Sequence, residues 1–306
     1  YTYDDTDIPA DDDTSSYVSA LYDLPNTTWA SYSTSDVNSN VITVSSIDTI
    51  DGEFTAGYPA AFDTVTTYYS RQSGDWDLTS TWSITGHSGS AASQTPGSNS
   101  PVIVGDGDEV TISANSRICG SLRIDSLSTL DVGTYTGHNF GTIVSGDGVT
   151  GTGTLQISAS GGTAQFPGGD FGDFLSSGGG EVEYYGTSSY TLPASPTGYN
   201  DLAFSSAGSA TFTLPDADLT VDNDLSVNSG TSQISNGTNG DLTVSGNIDI
   251  SGGTLQYPTG TVRDIDLAGD MTIGSSGSFQ VSSSGTVTHT MTIDGSITNN
   301  GTFDMY

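Results

Sequence analysis

The sequence predicts an all-β fold: a parallel β-helix (β-solenoid) preceded by a small β-rich N-terminal module or arm. Apolar residues, 33% of the chain, recur in short alternating runs, which is the pattern of strands with one buried face. Most of the 36 acidic residues are Asp, and Asp favours turns whereas Glu favours helices. A unit of about 23 residues recurs near the C-terminus, and such units must stack to share one core.

Residues 1–66 form the predicted N-terminal arm and module. The segment opens with the acidic run YTYDDTDIPADDDTSS, and further on NVITVSSI alternates as a strand does. DGEFTAG is typical of a turn, and SYVSALYDL predicts one helical turn. We therefore expect a small β module or a strand-rich linker in this region.

The predicted β-helix occupies residues 67–306 and begins with the stretch YYSRQSGDWDLTSTWS. Trp76 and Trp82 lie in this stretch, among polar residues. They could stack on sugar rings, or they could cover the open first end of a β-helix. We favour the structural cap, because the stretch enters the first strand and a β-helix needs large side chains at that end.

The register of the repeat is clearest near the C-terminus, where units begin at Leu219, Leu242, Ile265 and Met291. Each unit holds three short alternating strands separated by corners of Gly, Asn or Asp. Stacking places equivalent residues in ladders: Val221, Val244, Leu267 and Ile293 in one, and Val227, Ile250, Ile273 and Ile297 in another.

Coils of this size determine the expected shape. Residues 67–306 give roughly ten coils, and at about 4.8 Å per strand the body is a rod roughly 50 Å long. An antiparallel sandwich is the nearest rival, with Asn-Gly or Asp-Gly hairpins. The 23-residue recurrence favours stacked coils instead.

The charge of the chain excludes several classes of partner. The net charge is −32, and Lys and Arg together number four, so a phosphate backbone would be repelled. Binding to anionic membranes is disfavoured for the same reason, and no apolar run approaches the roughly 20 residues that span a bilayer. We expect a soluble extracellular protein that binds no nucleic acid and inserts into no membrane.

No catalytic or cofactor-binding residues are predicted. Cys119 is the single cysteine and lies between apolar neighbours, which is typical of a small buried side chain. His87, His138 and His289 are far apart and have no ligand partners at metal-site spacing. For His87 and His138, which both follow glycine, we expect turn histidines that bind nearby backbone. A polysaccharide lyase or hydrolase would need arranged carboxylates, which the sequence does not single out.

Calcium is the one metal for which the sequence offers candidate ligands, because Asp side chains on Gly-rich turns supply hard oxygen atoms. The candidates are Asp106 and Asp108 in GDGDE, Asp147 in SGDGV, and the run Asp11–Asp13. None has the spacing of a known calcium loop. We favour solvated turns, with calcium as the alternative.

Several stretches resemble a known family. The motifs YYSRQSGDWDLTSTWS, PGSNSPVIVGDGDEVTI, CGSLRI and FPGGDFGDFLSSGGGEVEYY resemble a recurring module in large surface proteins of gliding Gram-negative bacteria that use type IX secretion. Part of this module is similar to the eight-glycine β domain of extracellular proteins. Trp76, Trp82, Pro101 and Cys119 stand in the order of that module, and the resemblance covers most of residues 40–306.

The resemblance implies a right-handed parallel β-helix in an adhesin-like or surface-fibre protein without known catalysis. The C-terminal sorting domain of such proteins is missing, which predicts either cleavage or an internal segment. Proteins of this kind also carry O-glycans at short acidic motifs. The matching residues are Thr49 in Asp48–Ile50, Thr64 in Asp63–Val65, and Ser126 in Asp125–Leu127.

The sequence therefore predicts a non-enzymatic structural protein of the bacterial cell surface, a subunit or segment of an extracellular fibre or adhesin. Its expected partners are further copies of itself, more of its own chain, or surface glycans. The last strands, in SITNNGTFDMY, have no capping helix, so we expect something to cover them. A carbohydrate-binding β-helix module is the alternative, and a polysaccharide lyase or hydrolase is the weaker one.

Overall fold

The computed structural model describes residues 18–23, 28–32, 52–57, 66–141, 148–162, 164–281 and 287–305. The chain divides into two compact units, Tyr1–Thr66 and Thr67–Tyr306. In the part of each unit that the structure describes, strands account for nearly all of the regular structure. The all-β prediction is thereby confirmed.

The first unit contains an antiparallel sheet of order β2-β1-β3, built from β1 (Val18–Asp23), β2 (Thr28–Tyr32) and β3 (Gly52–Gly57). Two predictions were wrong here. SYVSALYDL contributes β1 instead of a helical turn, and DGEFTAG contributes β3 instead of a turn, because both segments pair along their length and pairing overrides local propensity. The predicted strand NVITVSSI lies outside the described residues.

The second unit is a succession of short strands. The first of them are β4 (Tyr68–Ser70), β5 (Gly74–Asp75), β6 (Trp82–Ser83), β7 (Pro101–Val104), β8 (Glu109–Thr111), β9 (Ile118–Cys119), β10 (Ser121–Ile124), β11 (Thr129–Asp131), β12 (Asn139–Phe140), β13 (Val149–Gly151), β14 (Thr154–Ser158) and β15 (Gly168–Gly169). A 3-10 helix, Thr79–Thr81, precedes β6, and helix α1, Gly172–Leu175, follows β15.

The later strands repeat more regularly. They are β16 (Glu181–Gly186), β17 (Tyr190–Thr191), β18 (Gly198–Tyr199), β19 (Asp201–Ser206), β20 (Thr211–Thr213), β21 (Leu219–Val221), β22 (Leu225–Ser229), β23 (Thr231–Gln233), β24 (Leu242–Val244), β25 (Ile248–Ile250), β26 (Thr254–Gln256), β27 (Asp264–Leu267), β28 (Met271–Ile273), β29 (Ser278–Gln280), β30 (Thr290–Ile293), β31 (Ile297–Asn299) and β32 (Thr302–Asp304).

Every third strand in this region joins the same sheet, so the chain coils. The ten-stranded sheet has the order β31-β28-β25-β22-β19-β16-β14-β11-β8-β5, the six-stranded sheet β17-β20-β23-β26-β29-β32, and a five-stranded sheet β18-β21-β24-β27-β30. Upstream, the companion sheets are β13-β10-β7-β4-β6 and β15-β12-β9. Pairing between successive coils is parallel, which confirms the predicted β-solenoid and not the sandwich.

The parallel coils extend from about residue 101 to residue 304 and make about eight turns. The sequence prediction of roughly ten coils counted the region from residue 67 onward. Residues 67–100 instead form short strands, the 3-10 helix and an antiparallel pair, β4 with β6. Within it, β4 and β5 pair in parallel with β7 and β8, so this region adds a partial coil and closes that end of the stack.

The predicted ladders can be compared with the strand register. Val221, Val244, Leu267 and Ile293 are successive partners across the five-stranded sheet, as predicted. In the second ladder Ile250 pairs with Ile273, but Ile297 was placed wrongly. Ile297 is the partner of Met271, and Asn299 is the partner of Ile273, because the offset of 26 residues that joins Leu267 to Ile293 continues into β31.

One polar side chain interrupts the core of the six-stranded sheet. From β20 to β32, the inward residues of this sheet stack in register: Phe212, Ser232, Leu255, Phe279 and Phe303. Ser232 is fully buried, and its hydroxyl has no hydrogen-bond partner among the described residues. A buried hydroxyl without a partner costs free energy relative to a methyl group.

Ser232→Ala is therefore expected to raise the free energy of unfolding by about 1 kcal/mol, because it removes an unsatisfied polar group from an apolar ladder. Ser206→Ala is the matched control. Ser206 is equally buried, but its Oγ donates to the Ala210 carbonyl at 3.1 Å and accepts from the Thr231 N–H at 3.1 Å. We expect the control to lower stability, so urea unfolding that gives both changes the same sign would contradict this account.

Candidate functional site

The two tryptophans lie inside the closed end of the solenoid. Trp76 is 1% exposed and Trp82 is 0% exposed, and their rings meet edge to face with centroids 5.1 Å apart. The Trp82 Nε1–H donates to the Trp76 carbonyl at 2.7 Å. Trp76 also contacts Phe140, with centroids 5.9 Å apart. Neither ring presents a face to solvent, so this geometry favours the cap and gives no support to sugar stacking.

The calcium candidates fall in different places. Asp106 and Asp108 lie in one turn, which the Asp108 N–H closes by donating to the Gly105 carbonyl at 3.1 Å. Asp147 and Asp11–Asp13 are outside the described residues. Within the part of the chain that the structure describes, no group of three or more His, Cys, Asp or Glu residues could hold a metal ion. Calcium binding at Asp106 and Asp108 thus stays a prediction. These residues supply two carboxylates, whereas calcium is bound by six or more oxygen atoms.

Ser126 is the one predicted glycosylation residue that the structure describes. It is exposed in a turn that the Ser128 N–H closes by donating to the Asp125 carbonyl at 3.0 Å. The neighbouring Leu127 is 91% exposed and has a φ of 67°, so the turn projects from the surface. Thr49 and Thr64 lie outside the described residues.

The histidines bind backbone groups. His87 Nδ1 lies 2.5 Å from the Ser70 carbonyl oxygen, and His138 Nδ1 accepts from the Arg117 N–H at 3.2 Å. His289 Nδ1 accepts from the Arg263 N–H at 3.1 Å. Burial lowers the pKa of His138, which keeps its imidazole neutral and able to accept this bond.

Cys119 is fully buried, and burial raises the pKa of its thiol to about 12. The thiol is therefore protonated at neutral pH. Because the thiolate is the nucleophilic form of cysteine, this residue is not set up for nucleophilic chemistry.

A cluster of carboxylates that sequence reasoning missed lies on the outward face of the ten-stranded sheet. Glu181 and Asp201 are partners on adjacent strands, and Glu183 lies on the same face of β16. Burial, followed by the charges of Glu183 and Asp201, raises the pKa of Glu181. The alternation in EVEYYG could have shown that Glu181 and Glu183 share a face.

A carboxyl with a raised pKa beside two other carboxyls resembles the acid and base pair of a glycosidase. Both carboxylate oxygen atoms of Glu183, however, already accept hydrogen bonds from other side chains. One accepts from Gln156 Nε2 at 2.6 Å, and the other accepts from Ser205 Oγ. Tyr185 similarly donates its hydroxyl to Asp131 at 2.8 Å. The cluster links successive coils of the stack, and its carboxylates are held by protein donors.

Many of the other aspartates form ladders along the corners of the coil. In each step the side-chain oxygen of one coil accepts the backbone N–H of the next coil. One ladder comprises Asp201, Asp224, Asn247, Asp270 and Ser296, and the other comprises Asp218, Asp241, Asp264 and Thr290. The excess of Asp is therefore turn chemistry, as predicted, and it satisfies corner N–H groups that the strands leave unpaired.

The coil formed by β30, β31 and β32 is open. Each of these strands is the last one in its sheet, so one edge of each has no partner strand among the described residues. Ile297 is 46% exposed, whereas its partner Met271 in the preceding coil is fully buried. Phe303 stacks on Phe279 with centroids 5.3 Å apart. This open coil combines terminal strand edges with apolar side chains and is a candidate interface.

No protein family, curated protein or solved structure matches this chain. Among the described residues, no helix has the length and apolar character needed to cross a membrane.

Proposed function

We propose that this chain is a non-enzymatic structural protein of the bacterial cell surface, a subunit or segment of an extracellular fibre or adhesin. The open coil of β30–β32 carries the proposal. One end of the solenoid is closed by buried tryptophans, whereas the coil at the other end exposes three strand edges and an apolar side chain at Ile297. Such an edge is a template for further strands.

A second copy of this chain is the occupant that we propose for the open coil. Parallel pairing already joins every coil to the next, so strands added by a neighbouring copy would continue the same ladders. The net charge of −32 opposes the approach of two copies, and salt screens that repulsion. Assembly should therefore be stronger at physiological ionic strength than at low ionic strength.

Negative-stain electron microscopy at physiological salt tests this assembly. Ile297→Lys places a charge on the open coil, and Val262→Lys is the matched control, because Val262 is 52% exposed elsewhere on the solenoid. We expect filaments from the wild type and from Val262→Lys, and isolated rods from Ile297→Lys. Filaments from Ile297→Lys would overturn assembly through the open coil. Isolated rods from the wild type would overturn self-assembly and leave further chain of the same protein as the occupant of the coil.

We infer the secreted location and the surface role from the acidic, lysine-free composition and from the motifs that resemble those of type IX-secreted proteins. O-glycosylation at the exposed Ser126 turn and calcium at Asp106 and Asp108 are compatible additions to this role. Polysaccharide cleavage is the weaker candidate. The Glu181 cluster favours it, but both oxygen atoms of Glu183 are engaged by Gln156 and Ser205.

A further inference from the structure

The outward face of the six-stranded sheet is free of charge over much of its length. From β17 to β29 its outward side chains carry only hydroxyl or amide groups. We name them the amide–hydroxyl face: Thr191, Thr211, Thr213, Thr231, Gln233, Thr254, Gln256, Ser278 and Gln280. By contrast, the outward face of the ten-stranded sheet carries Asp131, Glu181, Glu183 and Asp249. A neutral strip this long is unexpected in a chain with a net charge of −32.

The amides of this face have unused hydrogen-bonding capacity. Gln233, Gln256 and Gln280 stand in register on successive strands, and their side chains are only partly buried. None of the three amides hydrogen-bonds to another residue in the described part of the chain, whereas Gln156 on the ten-stranded sheet donates to Glu183. Each free amide offers two donors and an acceptor.

The spacing of these groups is set by the coil. Successive strands lie about 4.8 Å apart, so the face extends along roughly 20 Å of the solenoid axis. Each of its last three strands, β23, β26 and β29, presents one amide and one hydroxyl. A ligand that satisfies every coil must itself be a repeating polymer with donors and acceptors along its length. It must also be uncharged or cationic, because the acidic outward face of the ten-stranded sheet and the net charge of −32 repel anions.

We propose that the amide–hydroxyl face binds a neutral, hydroxyl-rich polysaccharide chain that lies along the solenoid axis. Sugar hydroxyls can donate hydrogen bonds to the Gln and Thr oxygen atoms and accept them from the Gln amides and Thr hydroxyls. A neutral sugar has no carboxylate, so binding carries no cost of removing water from a charged group on the ligand. Recognition here rests on hydrogen bonds and not on aromatic stacking. This binding goes beyond the proposed structural role and does not depend on the open coil of β30–β32.

A second copy is the competing occupant of the face. Two identical faces would bury hydroxyl and amide groups against each other without apolar side chains to favour association, and interfaces between protein copies are enriched in apolar and aromatic residues at their centre. The polysaccharide is therefore the better match for this surface.

Retention on insoluble polysaccharide tests the proposal. The full chain is incubated with microcrystalline cellulose, with chitin, and with immobilised alginate as an anionic polymer. The test variant is Gln233→Glu/Gln256→Glu/Gln280→Glu. The control, Thr220→Glu/Thr243→Glu/Thr292→Glu, adds the same charge to the outward face of the five-stranded sheet.

We expect the wild type and the control to be retained on a neutral polymer but not on alginate. The Gln variant should bind at least about tenfold more weakly, which corresponds to about 1.4 kcal/mol. Thermal unfolding verifies that each variant folds, and the single variant Gln256→Glu, expected to weaken binding several-fold, replaces the triple variant if that one does not fold.

Several outcomes would overturn the proposal: no retention of the wild type on either neutral polymer, equal retention of the Gln and control variants, or equal retention on alginate. Sedimentation velocity tests whether a second copy of the chain, the competing occupant, binds this face. If the Gln variant changes the oligomeric state and leaves retention unchanged, the face is an interface between copies. Filament formation by the Gln variant reports separately on the open coil, so failure of one proposal is distinguishable from failure of the other.

Discussion

Trp82→Ala should lower the free energy of unfolding by about 3–5 kcal/mol, the usual cost of truncating a large buried aromatic side chain. The Trp82 ring is fully buried and packs edge to face on Trp76. Its Nε1–H also donates a hydrogen bond to the Trp76 carbonyl. Removing the ring opens a cavity at the closed end of the stack and leaves that carbonyl without its donor.

Two further variants separate these contributions. Trp82→Phe keeps most of the packing and loses the Nε1–H bond, so we expect a loss of about 1–2 kcal/mol. Leu78→Ala is the matched control in the same segment, because Leu78 is 54% exposed, and it should leave stability nearly unchanged. Urea unfolding in which Trp82→Ala behaves like Leu78→Ala, together with a loss of glycan retention, would show that the tryptophans form a sugar platform and not a cap.

The coil could be predicted from sequence because its repeat is nearly constant where the corners are uniform. Leu219, Leu242 and Ile265 are equally spaced along the chain, and the structure pairs them in register. The final coil has a longer spacing, and there the apolar character of Ile297 suggested the wrong partner. Register in a parallel sheet follows continuous backbone pairing, which places the polar Asn299 opposite Ile273.

The functional surfaces were harder to predict, because they depend on which alternate residue points outward in each coil. The triplets TFT, TSQ, TLQ and SFQ are visible in the sequence. Their alignment into one neutral face becomes clear only when Phe212, Ser232, Leu255 and Phe279 are known to point inward. The acidic residues posed the same problem, since Asp composition predicts turns but not which N–H of the next coil each carboxylate accepts.

Gly151→Ala is expected to be among the most destabilising single substitutions, with a loss of about 3–5 kcal/mol from backbone strain and overpacking together. Gly151 has a φ of 106°, in the region that L-residues rarely adopt. It is also the partner of Ile124 in the adjacent coil, and a Cβ at this position would collide with the Ile124 carbonyl oxygen. Backbone atoms of a stacked coil cannot move aside without breaking the ladder.

Gly86→Ala isolates the contribution of that contact. Gly86 has the same φ of 106°, but a Cβ there would have no atom within 4 Å. It therefore carries the conformational strain alone, about 1–2 kcal/mol. The difference between the two variants, measured by urea unfolding, reports how closely one coil packs on the next. Equal losses would mean that the coils can separate locally at Gly151, and that stacking of the backbone is not what restricts this corner to glycine.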